Sequence, residues 1–185
     1  MQNTALLVPD CRPAVLTVLP GAGRPLLDRP ARAAAAVRER GGTVAHVRTA
    51  FTEDGWAAAP AGNSAFAAIA RHRALHPEDP ATAPDPRPAP RDGDLPARKT
   101  RLAAFSTTGL HRQPRARGID TLILAGLSTG GAVLSAALDA ADRGYRLQVL
   151  SDVIADPDPE LHRAVLGRVL PARAEMLTCA LLRPS

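Results

Sequence analysis

The stretch from Leu122 to Tyr145, LILAGLSTGGAVLSAALDAADRGY, constrains the fold more than any other part of the chain. It opens on an unbroken apolar run, passes through a glycine-rich turn and continues as an alanine-rich helical segment. A short apolar run without polar alternation suits a strand covered on both faces. The same grammar repeats downstream. A strand is predicted over 145–150, a helix over 158–169 with Asp158 near its cap, and a final strand over 174–181. Strand–helix alternation of this kind calls for a parallel sheet with helices on both faces.

The first half is read the same way. Thr4 to Val8 (TALLV) is a buried strand with Asp10 just beyond it. A helix over 31–40 follows, with Asp28 as its cap and Pro30 in its first turn, and it stops at Gly41-Gly42. Thr43 to Thr49 is the second strand, and 63–75 a helix with Phe66, Ile69 and Arg73 on one side. The proline-rich segment 76–90 is a long loop that borders the site or wraps a partner subunit. LPARKT at 95–100 is a short strand carrying Lys99, and 106–117 a helix weakened by Gly109 and Pro114. Strand 121–125 and helix 129–143 complete the alternation. The expected fold is α/β: a single three-layer Rossmann-like domain over 1–185, with a mostly parallel sheet of about six strands.

A chain of 185 residues can bury a core of that size. Aromatics make up only 3% of it, so alanine, leucine and valine must fill the interior. The net charge of +5 comes from scattered arginines, with no basic run carrying interleaved aromatics. That argues against nucleic acid as a partner. Neither a signal peptide nor an apolar stretch of about 18 residues is present, so no membrane association and a cytoplasmic location are expected. Cys11 and Cys179 do not form a disulfide framework.

Ligands of open parallel sheets bind beyond the carboxyl ends of the strands. Asp10, Lys99 and the Gly126–Ala132 turn all fall there. A carboxylate beside an ammonium group can exchange protons, and N–H groups at a helix start can hold an oxyanion. Each feature also has an ordinary reading: a turn aspartate, an edge lysine, a close-packing glycine pair. Spacing alone leaves both readings open.

TALLVPD, RKTRLAAF and the run from Arg115 to Leu166 resemble the isochorismatase-like hydrolase superfamily, which includes nicotinamidases and N-carbamoylsarcosine amidases. The resemblance implies a catalytic Asp at Asp10, a Lys at Lys99, and a cysteine nucleophile opening the helix after the fourth strand. It also implies a cis Leu127–Ser128 peptide and an oxyanion hole built from the N–H groups of Ser128 and Ala132, with Gly131 in the same turn. Phe105 is a candidate pocket wall and Trp56 a candidate lid, although core packing and loop anchoring explain them equally well.

At the nucleophile position the chain departs from the family, because residue 132 is alanine. A methyl group cannot attack, so thioester catalysis of the usual kind is excluded. Cys11 should point away from the face Asp10 addresses, by strand alternation, and Cys179 should be core. Ser128, Thr129 and Ser135 are nearby hydroxyls without an evident histidine base. No metal or other cofactor is expected. AFTEDGW after the second strand holds no histidine, His46 lies within a strand, and His72 and His76 flank a helix end.

Three readings follow. In the first, the chain is a small-molecule hydrolase or lyase using Asp10 as general acid/base and Lys99 as electrostatic partner. True isochorismatases resemble this pattern, but the tyrosine expected in their turn corresponds to Ser128, and a carrier-protein domain is lacking. In the second, it is a catalytically lapsed ligand-binding or scaffold protein. In the third, it is a Cys-to-Ala trapped form of an amidase-type hydrolase. STGG-x-VLS resembles a subgroup with a small apolar residue there, which favours a natural alanine. A small-molecule substrate and a homodimer or homotetramer are expected. Arg48, Arg98 and Arg101 are candidate contacts for an anionic substrate, with solvated surface as their ordinary state.

Overall fold

The structure is a computed structural model that describes residues 1–12, 19, 25–83 and 88–182. Six strands form one sheet: β1 (Thr4–Pro9), β2 (Thr43–Thr49), β3 (Leu95–Lys99), β4 (Thr121–Leu127), β5 (Arg146–Ala155) and β6 (Glu175–Leu177). Their order is β3-β2-β1-β4-β5-β6, and every pairing is parallel. Between them run α1 (Pro25–Glu39), α2 (Glu53–Ala57), α3 (Ser64–Arg71), α4 (Arg112–Ala116), α5 (Leu134–Asp142) and α6 (Pro159–Ala164).

Strand alternation sorts the apolar residues into two cores. Ala5 and Leu7 of β1 join Leu122 and Leu124 of β4 on one face, packed with Ala136, Ala137 and Ala140 of α5. Leu6, Val8, Ile123 and Ala125 join Ala33, Ala34 and Val37 of α1 on the other. Both central strands are buried on both sides, which is why their runs are apolar without alternation. The small alanines let the helices approach the sheet closely, replacing the aromatics that the chain lacks.

Several boundaries differ from the expected ones. α1 begins at Pro25, so Asp28 lies in its first turn instead of capping it, and Pro30 sits inside the helix. Proline is well placed at a helix start, where its missing N–H costs nothing. α3 ends at Arg71, because Arg73 and Leu75 adopt left-handed φ of 46° and 63°. Arg73 therefore leaves the side shared by Phe66 and Ile69, and its guanidinium lies over the Trp56 ring. Only Arg112–Ala116 of the expected 106–117 helix forms. β4 and β5 run longer than expected, to Leu127 and Ala155. The last strand stops at Leu177, so Cys179 lies beyond it, half-buried, with its N–H donating to Asp152 Oδ1 at 2.8 Å. Part of the 76–90 loop lies outside the described residues.

Candidate active site

β1 and β4 are neighbours in the sheet, with Leu7 opposite Leu124. Their carboxyl ends bring residues 10 and 126–132 to the same edge. Gly126 has φ of 108°, and a side-chain carbon there would strike the Pro9 carbonyl oxygen. Only glycine allows β4 to pass this close to the end of β1.

Asp10 follows β1 in the left-handed region, with φ of 51°. This conformation is sparsely populated outside glycine, although aspartate tolerates it better than most residues. It aims the carboxylate across the strand ends. Asp10 Oδ1 accepts the Thr49 N–H at 2.8 Å, and Oδ2 accepts the Thr49 hydroxyl at 3.1 Å. Lys99 Nζ lies 3.0 Å from the same Oδ2 and donates to the Leu102 carbonyl at 2.7 Å. Lys99 is 1% exposed and Asp10 8%, so the ion pair is nearly removed from water. A buried pair holds its geometry because separating the charges leaves one uncompensated. An ammonium has three donors, and two of them are used here.

The turn after β4 begins with a cis Leu127–Ser128 peptide. Its first helical turn, Thr129–Val133, is wide: the Val133 N–H donates to the Ser128 carbonyl at 3.0 Å. Ala132 is buried in this turn. Two contacts from the β5–α6 region hold it. Asp156 Oδ2 accepts the Gly130 N–H at 2.6 Å, and His162 Nδ1 lies 2.8 Å from the Thr129 hydroxyl. Thr129 therefore has a histidine partner that its distance along the chain conceals. The hydroxyl is fully buried, so this pair supports the turn from behind. Asp158 begins α6 by accepting the N–H groups of Glu160 and Leu161, and so sets the position of His162.

The other candidates are distributed around this centre. Phe105 is buried in the α5-side core, stacked 6.0 Å from Tyr145. Trp56 donates its indole N–H to the Ala74 carbonyl at 2.9 Å and packs 5.7 Å from the His76 ring. It thereby pins the 73–76 segment. Arg101 donates to the Thr100 and Ala58 carbonyls.

A cavity of about 430 Å³ reaches Asp10 at the carboxyl edge of β1, β2 and β3. Its walls include Cys11, Arg12, His46, Arg48 and Arg98, and neither Lys99 nor Ala132 lines it. Asp10 and Cys11 thus border the same space. The expected separation by strand alternation ends at Asp10, where the left-handed φ interrupts the pleat. His46 hydrogen-bonds Asp94 at 3.0 Å, and Asp94 is also bound by the Arg38 guanidinium. Burial lowers the His46 pKa from its usual 6.5, against the pull of Asp94. Burial also disfavours the Asp94 anion, but hydrogen bonds from Arg38 and the Arg91 N–H outweigh it and bring that pKa below 3.8. Among the described residues no group of three or more His, Cys, Asp or Glu side chains is placed to hold a metal.

Thr49, Leu102, Asp156 and His162 were not among the candidates read from the sequence. For Thr49 a signal existed: it ends β2 at the same edge as Asp10. The others depend on contacts that only the fold supplies.

Residues 4–180 match the isochorismatase domain. The chain is 36% identical over 78 residues to the maleamate amidohydrolase of Pseudomonas putida, covering 42% of this chain and 37% of that one. It is 38% identical over 81 residues to the ureidoacrylate amidohydrolase of Methylobacterium radiotolerans, covering 43% and 31%. The matched part is about a third of the length of these two curated relatives. An isochorismatase family protein from Burkholderia thailandensis superposes with a TM-score of 0.82 at 26% identity, covering 97% of this chain and 93% of that one. No helix among the described residues is long and apolar enough to cross a membrane.

Proposed function

The chain belongs to the isochorismatase-like hydrolase family, and from that premise we propose that it cleaves a small molecule without a cysteine nucleophile. Asp10 serves as general acid/base and Lys99 as its electrostatic partner. The N–H groups of Ser128 and Ala132 receive developing negative charge. Leu127 and Gly131 shape the turn that presents them, while Phe105 and Trp56 support the walls. The observation that carries this reading is the buried Asp10–Lys99 pair, 3.0 Å apart at the carboxyl edge of the sheet. A buried carboxylate held by two Thr49 donors and an ammonium is oriented before substrate arrives. Two relatives are amidohydrolases, which favours hydrolysis over elimination. With Ala132 in place of a thiol, water is the nucleophile, Asp10 takes its proton, and the hole stabilises the tetrahedral oxyanion.

One observation favours a second reading, a ligand-binding protein that kept the fold and lost hydrolysis. The cavity that reaches Asp10 does not touch Lys99 or Ala132.

Asp10→Asn separates the two. A panel of small amides is assayed for ammonia release with both proteins. The enzyme reading expects the variant to lose at least about a hundredfold in kcat/KM, the ordinary scale for removing a general acid/base. No turnover of any amide by the parent chain, together with ligand binding unchanged in the variant, supports the second reading. Ala132→Cys addresses the trapped form: a thioester adduct seen by mass spectrometry, with new amidase activity, supports it.

A further inference from the structure

Three arginines line one cavity without a carboxylate partner among the described residues. Arg12, Arg48 and Arg98 line the space that reaches Asp10, and none forms an ion pair among the described residues. Arg12 donates from one Nη to the Thr49 carbonyl at 3.3 Å, while its buried Nε has no hydrogen-bond partner. Among the described residues, Arg48 reaches only the Pro77 carbonyl, at 3.5 Å. A guanidinium offers five N–H donors, so most of the donor capacity of both residues is unused. Leaving a buried donor unsatisfied is costly, and arginine forks match carboxylate oxygens.

The remaining described charges around the cavity cancel. Lys99 balances Asp10, and Arg38 balances Asp94. His46 is held towards its neutral form by burial. Among the described residues, Arg12, Arg48 and Arg98 therefore leave a local excess of positive charge. Val8, Val47 and Pro96, among others, supply apolar surface, with Thr82 as a polar neighbour.

We propose that this cavity binds a small organic carboxylate, its apolar body against Val8, Val47 and Pro96 and its anionic end on Arg12 and Arg48, with Arg98 at the rim. That the bound acid is also the substrate rests on the proposed role of Asp10; that the cavity selects an anion does not. The volume of about 430 Å³ accommodates a compact acid.

Isothermal titration with two charge-differing pairs, benzoate against benzamide and succinate against succinamide, tests this. The acids are expected to bind at least about tenfold tighter than their amides, about 1.4 kcal/mol. Arg48→Gln and Arg12→Gln should each reduce acid binding about tenfold and leave amide binding unchanged, whereas Arg48→Lys should keep the preference for the acid. Asp10→Asn should leave acid binding intact or tighten it, because a like charge is removed. Equal binding of acid and amide, no binding of either acid, or full acid affinity in both glutamine variants with native circular dichroism overturns the proposal. Persistent turnover in Asp10→Asn alongside intact acid selectivity overturns the catalytic role of Asp10 and leaves the anion site standing.

Discussion

Replacing Lys99 with methionine tests the central pair directly. Methionine keeps most of the stem but removes the ammonium, leaving the Asp10 carboxylate with the two Thr49 donors alone. Breaking a buried ion pair by removing one partner costs about 3–5 kcal/mol. The Thr49 bonds and the 8% exposure of Asp10 put this case at the lower end, about 3 kcal/mol. For a chain of this size each kcal/mol lowers Tm by about 2–4 °C, so a drop of about 6–12 °C is expected. Urea unfolding near neutral pH measures the change through the midpoint, with the slope unchanged. The double variant Asp10→Asn/Lys99→Met removes both charges and should cost at least about 1 kcal/mol less than the two single losses together. A single-variant loss below about 0.5 kcal/mol, the scale of an ordinary surface change, refutes the reasoning. So does strict additivity in the double variant.

Gly126→Ala should destabilise the chain by more than about 2 kcal/mol, because its φ of 108° and the nearby Pro9 carbonyl both reject a side-chain carbon. Near-native urea stability in that variant contradicts the close β1–β4 approach. The acid side of the stability profile should carry a contribution from His46. Because burial lowers its folded pKa from 6.5, the unfolded chain takes up a proton in that range that the folded chain does not. Stability therefore falls as pH drops below about 6.5, and His46→Gln should flatten that part of the curve. The Asp94 contribution lies lower: it is present above pH 3.8 and is lost as pH falls through the depressed folded value. An unchanged slope in His46→Gln means the imidazole is not held neutral.

β1 was legible because a parallel strand buried on both faces needs a continuous apolar run, as in TALLV, and β2 lies where TVAHVRT predicts, although it is only half-buried. Helix ends were less legible. α3 stops just before Arg73 turns left-handed, with its guanidinium over the Trp56 ring, a tertiary contact that the local sequence pattern does not record. The 106–117 helix shrank to five residues because Gly109 and Pro114 weaken it and no long apolar face compensates.

By itself, the sequence determined the layer architecture and brought Asp10, Lys99 and the 126–132 turn to the carboxyl edge of the strands, since both follow from periodicity and from the order of strands along the chain. It also determined that residue 132 carries no nucleophile. Only the tertiary structure decided the partners. Thr49 clamps Asp10 from 39 residues away, Asp156 holds Gly130 from 26, and His162 meets Thr129 from 33. The three arginines converge on one cavity from the segment after β1 and from strands β2 and β3. Periodicity records which face a residue presents to its own element. Which distant side chain waits on that face is set by how the elements pack, and short-range pattern carries no record of it.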